Sequence, residues 1–297
     1  SQSASVLSPG LWSDIAINFT HDLRALAIVA RDTIERAVDR AGLLGGFLIA
    51  LGLALTTFAT IVARRHVLAM IERSTRFGNP TRLQRALRAV AVGMIGIVIP
   101  FLGIFAIEQA VDGAALLPNR VEPVMVAILR AAVFISFISS LAGGILAVSK
   151  PEWRVLDLSN RQAEKLSALA RRVALLIAAG RIIESVNQAI VAGLGLSVLS
   201  KSTIALLVAA TLAFGLYRLK PEDRSEAAAE QRPFWIVIAR LFGWVMIAGI
   251  SGAAIFGYPV LAAFLADQLV TIVILVVLTY LGRQIAEDAF DQLLSPG

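Results

Sequence analysis

Long apolar segments without a charged residue recur along the chain, and several are about as long as a membrane is thick. The first of them, residues 41–63, contains no Asp, Glu, Lys or Arg. A helix needs about 20 apolar residues to cross a hydrocarbon core of about 30 Å. Of the 297 residues, 58% are hydrophobic and only 16% are charged, whereas soluble domains carry roughly 25% charged residues. The sequence therefore predicts an all-α integral membrane protein.

The apolar segments predict a polytopic transmembrane helical bundle of about seven spans, arranged as helical hairpins. Only structures that satisfy their own backbone hydrogen bonds cross lipid, and helices do so segment by segment. The boundaries follow from charges and turn residues. The predicted spans are 41–63, 89–107, 124–148, 173–196, 203–217, 234–256 and 260–281.

An amphipathic helix is predicted ahead of the first span. Leu23, Leu26 and Ile34 recur at helical spacing, while charged residues such as Asp22 and Arg31 lie elsewhere on the helix. Such a helix favours the membrane surface over the membrane interior. We therefore divide the chain into three parts, which are an interfacial helix over 1–40, a transmembrane domain over 41–283 and the start of a linker over 284–297.

Basic residues indicate the orientation. Segments 64–88, 149–172 and 218–232 contain seven, six and four Lys or Arg residues, whereas 108–123 and 197–201 contain one each. Cytoplasmic loops carry the excess of Lys and Arg in membrane proteins. We expect a periplasmic N-terminus and a cytoplasmic C-terminus. The net charge of +6 is explained by these topology signals, so no nucleic-acid partner is expected.

The fourth predicted span carries an unusual polar stripe. Its members lie three, six and seven residues apart and so share one helical face; they are Arg181, Glu184, Asn187 and Gln188. Such a face is expected to lie against protein or water rather than lipid. We expect Arg181 and Glu184 to form an ion pair, which either fixes helix packing or forms a gating or substrate site.

Three further charges fall within predicted spans. They are Arg130, Arg240 and Asp267. Arg240 is expected near the inner end of its span and Asp267 near the outer end of the next, so each should reach the interface or find another partner. Ionisable groups inside a membrane are candidates for function by default.

Sequence signals also predict the turns. Ser159 and Gln162 form a capping box ahead of the fourth span, and Asn79-Pro80 are expected to cap and begin the second long helix. A turn is expected at Ser200-Lys201, and Pro100 is expected to kink its span. The first residues lack the charged and apolar regions of a signal peptide, so we expect a processed chain or an internal piece of a longer one.

Enzymatic chemistry is not expected. The chain has no cysteine, its two histidines are isolated, and it lacks the glycine-rich phosphate loops and the zinc and nucleophile motifs. We therefore predict no catalytic residue, no metal site and no cofactor.

The loop Pro151-Glu152-Trp153-Arg154-Val155-Leu156, followed by Leu158-Ser159 and a basic amphipathic helix that continues into a span, resembles a known family. The order of elements is similar to the membrane region of large bacterial mechanosensitive channels of the small-conductance type, in the branch with a periplasmic domain upstream. The resemblance implies a homo-heptamer in the bacterial inner membrane whose outer hairpins sense tension through membrane lipids. The family's glycine-alanine pore helix and β-rich vestibule are not found here, so ions would pass a pore outside this chain.

The function expected from this resemblance is a tension-sensing scaffold of a channel that releases solutes on hypo-osmotic shock. Tilting of the hairpins would be absorbed at Pro100, Gly143, Gly144 and Gly252. Two alternatives stay open, which are a secondary transporter or lipid flippase with its site at the polar stripe, and a membrane anchor for a further domain.

Overall fold

The computed structural model describes residues 5, 7–74, 80–113, 117–156, 158–218 and 234–294. These residues form seven α-helices and one short 3-10 helix and contain no strand, so the all-α prediction is confirmed. The elements are α1 (Pro9–Ser74), α2 (Arg82–Gly113), α3 (Glu122–Leu146), η1 (Pro151–Trp153), α4 (Asn160–Ala189), α5 (Leu194–Arg218), α6 (Phe234–Ile255) and α7 (Pro259–Leu294).

Five of the described helical segments are long and apolar enough to cross a membrane, rather than the seven predicted. They correspond to the first, second, third, fifth and seventh predicted spans and are Leu51–Ile71, Arg82–Val111, Glu122–Leu146, Leu194–Arg218 and Pro259–Asp288. α4 is less apolar than the other long helices, because it carries the polar stripe as well as the charged residues of its first half. In α6 the described apolar segment is the shorter Arg240–Ile255.

The first predicted basic loop is mostly helical. Arg64 and Arg65 lie within α1, and Arg82, Arg85 and Arg88 lie within α2. Arginine is a good helix former, so a run of arginines does not end a helix. The segment 64–88, expected to connect the first two spans, is therefore helical up to Ser74 in α1 and again from Arg82 in α2.

A glycine divides α1 into two parts. Gly42 has φ 64° and ψ 172°, a conformation that residues with a Cβ atom adopt only at a cost. This break lies beside the predicted boundary at residues 40 and 41, between the amphipathic helix and the first span. Beyond it α1 packs on α2, where a Cβ atom on Gly103 would lie 2.3 Å from Thr60 Oγ1.

The cap of α2 differs from the predicted one. Pro80 lies outside the helix, and the Thr81 hydroxyl accepts from the Gln84 amide at 3.3 Å while the Gln84 side chain accepts from the Thr81 amide at 3.1 Å. This is a capping box. Asn79, predicted as the cap, lies outside the described residues. The Thr-x-x-Gln pattern was the stronger signal, since it satisfies two backbone donors at once.

The segment from α3 to α4 is held by one buried arginine. Arg154 donates from Nε to the Leu146 carbonyl at 2.9 Å, from Nη2 to Asn160 Oδ1 at 2.8 Å, and from Nη1 to the Leu158 carbonyl. The C-terminal carbonyls of a helix need such donors. Ser159 and Gln162 form the predicted capping box at the start of α4. Arg154 thus ties the end of α3 to the start of α4.

The turn between α4 and α5 lies earlier than predicted. α4 ends at Ala189 and α5 begins at Leu194, so Ser200 and Lys201 lie inside α5. Gly193 and Gly195, which lie near the end of the predicted fourth span at 173–196, stand at the start of α5 instead. The turn between α6 and α7 is close to its predicted place, where Gly257 at φ 84° follows α6 in the left-handed region that favours glycine.

The helices α2 to α7 run alternately between two ends of one bundle. We call one end the basic end. There, Lys165 Nζ of α4 donates to the Arg218 carbonyl of α5 at 3.2 Å. Leu281 of α7 also packs there with Ala86 of α2 and Ile145 of α3. The opposite end holds the α4–α5 turn and the start of α7. A core of small and branched residues from α4, α5, α6 and α7, including Ile177, Val208 and Ile250, lies between the ends.

Candidate functional site

A polar cleft of about 290 Å³ opens between α4 and α5 beside their turn. It contains three of the four residues of the predicted polar stripe, Glu184, Asn187 and Gln188. The stripe therefore does share one face for most of its length, as its spacing predicts. The remaining lining residues come from the turn and from α5; they are Val191, Ala192, Ser197 and Lys201.

Two contacts join α4 to α5 across this cleft. Glu184 Oε1 lies 2.6 Å from Lys201 Nζ, and the buried Asn187 donates from Nδ2 to the Ser200 hydroxyl at 2.9 Å. The Ser200 hydroxyl in turn donates to the Ser197 carbonyl at 3.1 Å. Buried polar groups are stable only when they are hydrogen-bonded, so these contacts make the polar stripe compatible with a packed bundle.

Arg181 belongs to a different contact. Its Nη2 atom lies 3.1 Å from Asp267 Oδ1 on α7, and its Cζ atom lies 5.1 Å from the ring centroid of Phe134 on α3. The predicted pair between Arg181 and Glu184 is therefore replaced by two interhelical pairs. A stripe on one helix cannot reveal which neighbours carry the complementary charge, and here α5 and α7 supply it.

The other three predicted intramembrane charges, Arg130, Arg240 and Asp267, do not line the cleft. Arg130 is exposed on α3, and Arg240 is half-buried near the start of α6. Asp267 pairs with Arg181, which is one of the two alternatives expected for it, the other being to reach the interface. Arg181 and Asp267 keep 50% and 46% of their side chains exposed, so this pair lies at the surface of the isolated chain.

A second set of contacts on the turn was missed by sequence reasoning. Asp14 Oδ2 of α1 accepts from the Gly195 amide at 3.1 Å, and Asp22 Oδ1 accepts from the Gly193 amide at 3.3 Å. Asp22 is only 5% exposed, although it was assigned to the charged surface of the amphipathic helix. We call these two hydrogen bonds the acidic contact.

The acidic contact fits the electrostatics of a helix start. The first amides of a helix lack intrahelical acceptors and carry partial positive charge, so carboxylates are stabilised there. A Cβ atom on Gly195 would lie 2.7 Å from Asp14 Oδ2 and 2.9 Å from Ile15 Cγ1, which explains why glycine stands at this position. The signal in the sequence is a stripe of Asp14, Asn18 and Asp22 at four-residue steps.

The arrangement consists of ion pairs and hydrogen bonds between helices. Among the described residues, no group of three or more His, Asp or Glu side chains is placed to hold a metal ion. The carboxylates of the cleft and of the acidic contact each have a cationic or amide partner.

Helix length and hydropathy together define a polytopic helical membrane protein. Comparison with known proteins adds no further classification, since no family model, curated protein or solved structure matches the chain.

Proposed function

We propose that the chain is the tension-sensing transmembrane scaffold of a mechanosensitive ion channel that releases solutes on hypo-osmotic shock. In this proposal α4 and α6 cross the bacterial inner membrane together with the five apolar spans, which gives seven. The path of α4 supports its crossing, because it leads from the end of α3 to the start of α5 at the other end of the bundle. A periplasmic N-terminus then places the basic end in the cytoplasm.

The acidic contact is the observation that carries the proposal. It joins the amphipathic part of α1 to the first turn of α5 and to the cleft beside it. The same part of α1 exposes large apolar side chains, among them Ile17, Phe19 and Ile34. An amphipathic helix with an exposed apolar face binds at the membrane surface. A change in that surface would therefore be transmitted to α5.

The proposed mechanism is physical rather than chemical. Tension thins and widens the bilayer, which moves a helix that lies on the surface relative to helices that cross it. Gly42 allows the two parts of α1 to change their angle. The acidic contact passes this displacement to the α4–α5 turn, where the pair between Glu184 and Lys201 holds the two helices together.

Membrane lipids and further copies of the chain are the partners of this function. The family resemblance of the Pro151–Leu156 loop implies a homo-heptamer in which several scaffolds surround one pore. The pore would lie outside this chain.

Patch recording tests the proposal directly. The complete gene is expressed in giant spheroplasts that lack other osmotic channels, and suction is raised in steps. Asp14→Asn with Asp22→Asn should move the opening threshold, because neutral amides bind the α5 amides less strongly than carboxylates do. Asp32→Asn with Asp39→Asn removes the same charge from exposed positions of the same helix and should leave the threshold unchanged. A patch that stays silent up to rupture contradicts the channel function.

The cleft itself favours a second candidate, a secondary transporter or lipid flippase. Its volume of about 290 Å³ and its carboxylate, amide and ammonium groups are consistent with a site for a small polar solute. In that case the silent patch would be accompanied by solute uptake that is lost in Glu184→Gln.

A further inference from the structure

A larger cavity lies at the basic end, between α1, α2, α3 and α4. Its volume is about 490 Å³, within the range of about 300–1,000 Å³ that is usual for ligand sites. The cavity lies away from the cleft between α4 and α5 and shares no residue with it. It is therefore a separate candidate site.

Cations from four different elements converge on this cavity. They are Arg64 of α1, Arg88 of α2, Lys150 of the connection after α3, and Arg171 of α4. Glu164 is the one carboxylate among the described lining residues, and four serine side chains add hydroxyl donors. The lining therefore has a surplus of positive charge and of hydrogen-bond donors, which are the groups that bind phosphate.

Two of the arginines are held in place by their surroundings. Arg64 donates from Nη2 to the Ser140 hydroxyl at 2.8 Å, and Ser140 is fixed in turn by the close approach of Gly96. Arg88 lies over the ring of the buried Trp153, with its Cζ atom 5.7 Å from the ring centroid. A guanidinium group that is already oriented loses less entropy when it binds an anion.

One donor atom in the cavity still needs an acceptor. Arg64 Nε is shielded from solvent and finds no hydrogen-bond partner among the described residues. A buried cationic donor without an acceptor is costly, and a phosphate oxygen beside Arg64 would remove that cost. Basic pockets between membrane helices are also where anionic headgroups bind.

From this geometry we propose that the cavity binds a phosphate group, with Arg64 and Arg171 as its principal ligands. The group belongs either to a phospholipid headgroup at the basic end or to a soluble phosphate. The proposal does not depend on channel activity, since it concerns binding alone.

Native mass spectrometry of the delipidated protein in detergent tests the site. Three probes are compared, which are phosphatidylglycerol, diacylglycerol with the same acyl chains, and inorganic phosphate. Phosphatidylglycerol should bind at least about tenfold more tightly than diacylglycerol, because only the former carries the phosphate. Inorganic phosphate is then added at millimolar concentration to the lipid-bound protein. Displacement of the lipid identifies a soluble phosphate as the occupant, whereas retention of the lipid identifies the headgroup. Either result supports a phosphate site.

Matched arginine substitutions distinguish binding in the cavity from a general effect of positive charge on lipid binding. Arg64→Gln with Arg171→Gln should weaken phosphatidylglycerol binding by about tenfold. Arg65→Gln with Arg172→Gln removes the same charge at the neighbouring positions, which do not line the cavity, and should change binding by less than about twofold. Equal losses in the two double variants, or equal binding of the two lipids, would overturn the proposal.

A single substitution tests the site independently if the half-buried Arg64 is needed for folding. Arg171 is exposed on α4, so Arg171→Gln should fold and still weaken binding. Arg171→Lys should restore part of the affinity, since it retains the charge but not the bidentate geometry. Unchanged binding in Arg171→Gln would exclude this residue as a ligand and overturn its assignment.

Discussion

The cleft beside the α4–α5 turn and the cavity at the basic end are both polar, yet their charges are arranged in opposite ways. Beside the cleft, Glu184 pairs with Lys201, and Asp14 and Asp22 of the acidic contact accept from the amides of Gly195 and Gly193. In the cavity, four cations face one carboxylate among the described lining residues. Complementary charges hold helices to each other, whereas surplus charge of one sign attracts a ligand.

The two regions also differ in what brings the helices together. Around the cavity, α2 and α3 approach through small residues, and a Cβ atom on Gly144 would lie 2.9 Å from the Ala89 carbonyl oxygen. Small residues of this kind let membrane helices pack closely. Around the cleft, polar side chains provide the contacts between helices. Close approach of the α2 and α3 backbones therefore contributes to stability beside the cavity.

The largest effect is expected where this close packing is broken. Gly144→Ala should destabilise the protein by about 1–3 kcal/mol, because the added methyl group meets backbone atoms that cannot move aside. Gly143→Ala is the matched control, since a Cβ atom there meets nothing within 4 Å and alanine favours the helix by up to about 1 kcal/mol. Thermal unfolding of the detergent-solubilised protein measures both, and equal melting temperatures would contradict the packing difference.

A local effect is expected at the acidic contact. Gly195→Ala should push Asp14 and Ile15 away, since the new methyl group would overlap both. Amide hydrogen exchange over residues 9–22 should then become about tenfold faster, which corresponds to about 1.4 kcal/mol of local stability. Gly193→Ala, whose Cβ atom would lie at an ordinary 3.5 Å from Asp22 Oδ2, should change exchange much less. Unchanged exchange in Gly195→Ala would show that α1 does not depend on this contact.

A smaller effect is expected for the ion pair between α4 and α7. A double-mutant cycle of Arg181→Gln and Asp267→Asn should give a coupling of about 0.5–1 kcal/mol, because both side chains are half-exposed and such pairs contribute modestly. The cycle of Arg181→Gln and Glu184→Gln should give a coupling near zero. A larger coupling in the second cycle would restore the pairing predicted from the sequence.

The smallest effect is expected at Val191 in the α4–α5 turn. This residue has φ 51°, a left-handed conformation that costs a residue with a Cβ atom about 1–2 kcal/mol. Val191→Gly should relieve this strain, but glycine gains entropy in the unfolded chain. We therefore expect a net gain of no more than about 1 kcal/mol, measured as a slightly higher melting temperature. A clear loss of stability would show that the Val191 side chain makes a necessary contact.

The sequence predicts the helical class and most of the helix order, because uncharged apolar segments of about 20 residues have few alternatives to a membrane helix. The capping box at Ser159 and Gln162 is likewise local and was predicted correctly. The α4–α5 turn was misplaced because the glycines that begin α5 resemble the end of a helix. Local patterns identify helices better than they identify the residue at which one helix ends.

The partners of the polar stripe could not be predicted in the same way. The face that carries Arg181 and Glu184 follows from helical periodicity, whereas the choice of Asp267 and Lys201 depends on how α5 and α7 pack beside α4. Arg64 and Arg171 lie far apart in the chain, and only the packing of α1 on α2, of α2 on α3 and of α3 on α4 places them around one cavity. Such convergence is a property of the tertiary structure.

In the proposed topology α4 crosses the membrane in spite of its charges, because α5 and α7 provide partners for them. The chain contains no cysteine, so single cysteines can be placed at Ser149→Cys, before α4, and at Val191→Cys, after it. Both positions are exposed. A membrane-impermeant maleimide applied to intact spheroplasts should label Val191→Cys, whereas Ser149→Cys should be labelled only after permeabilisation. Labelling of both positions from the same side would contradict the account.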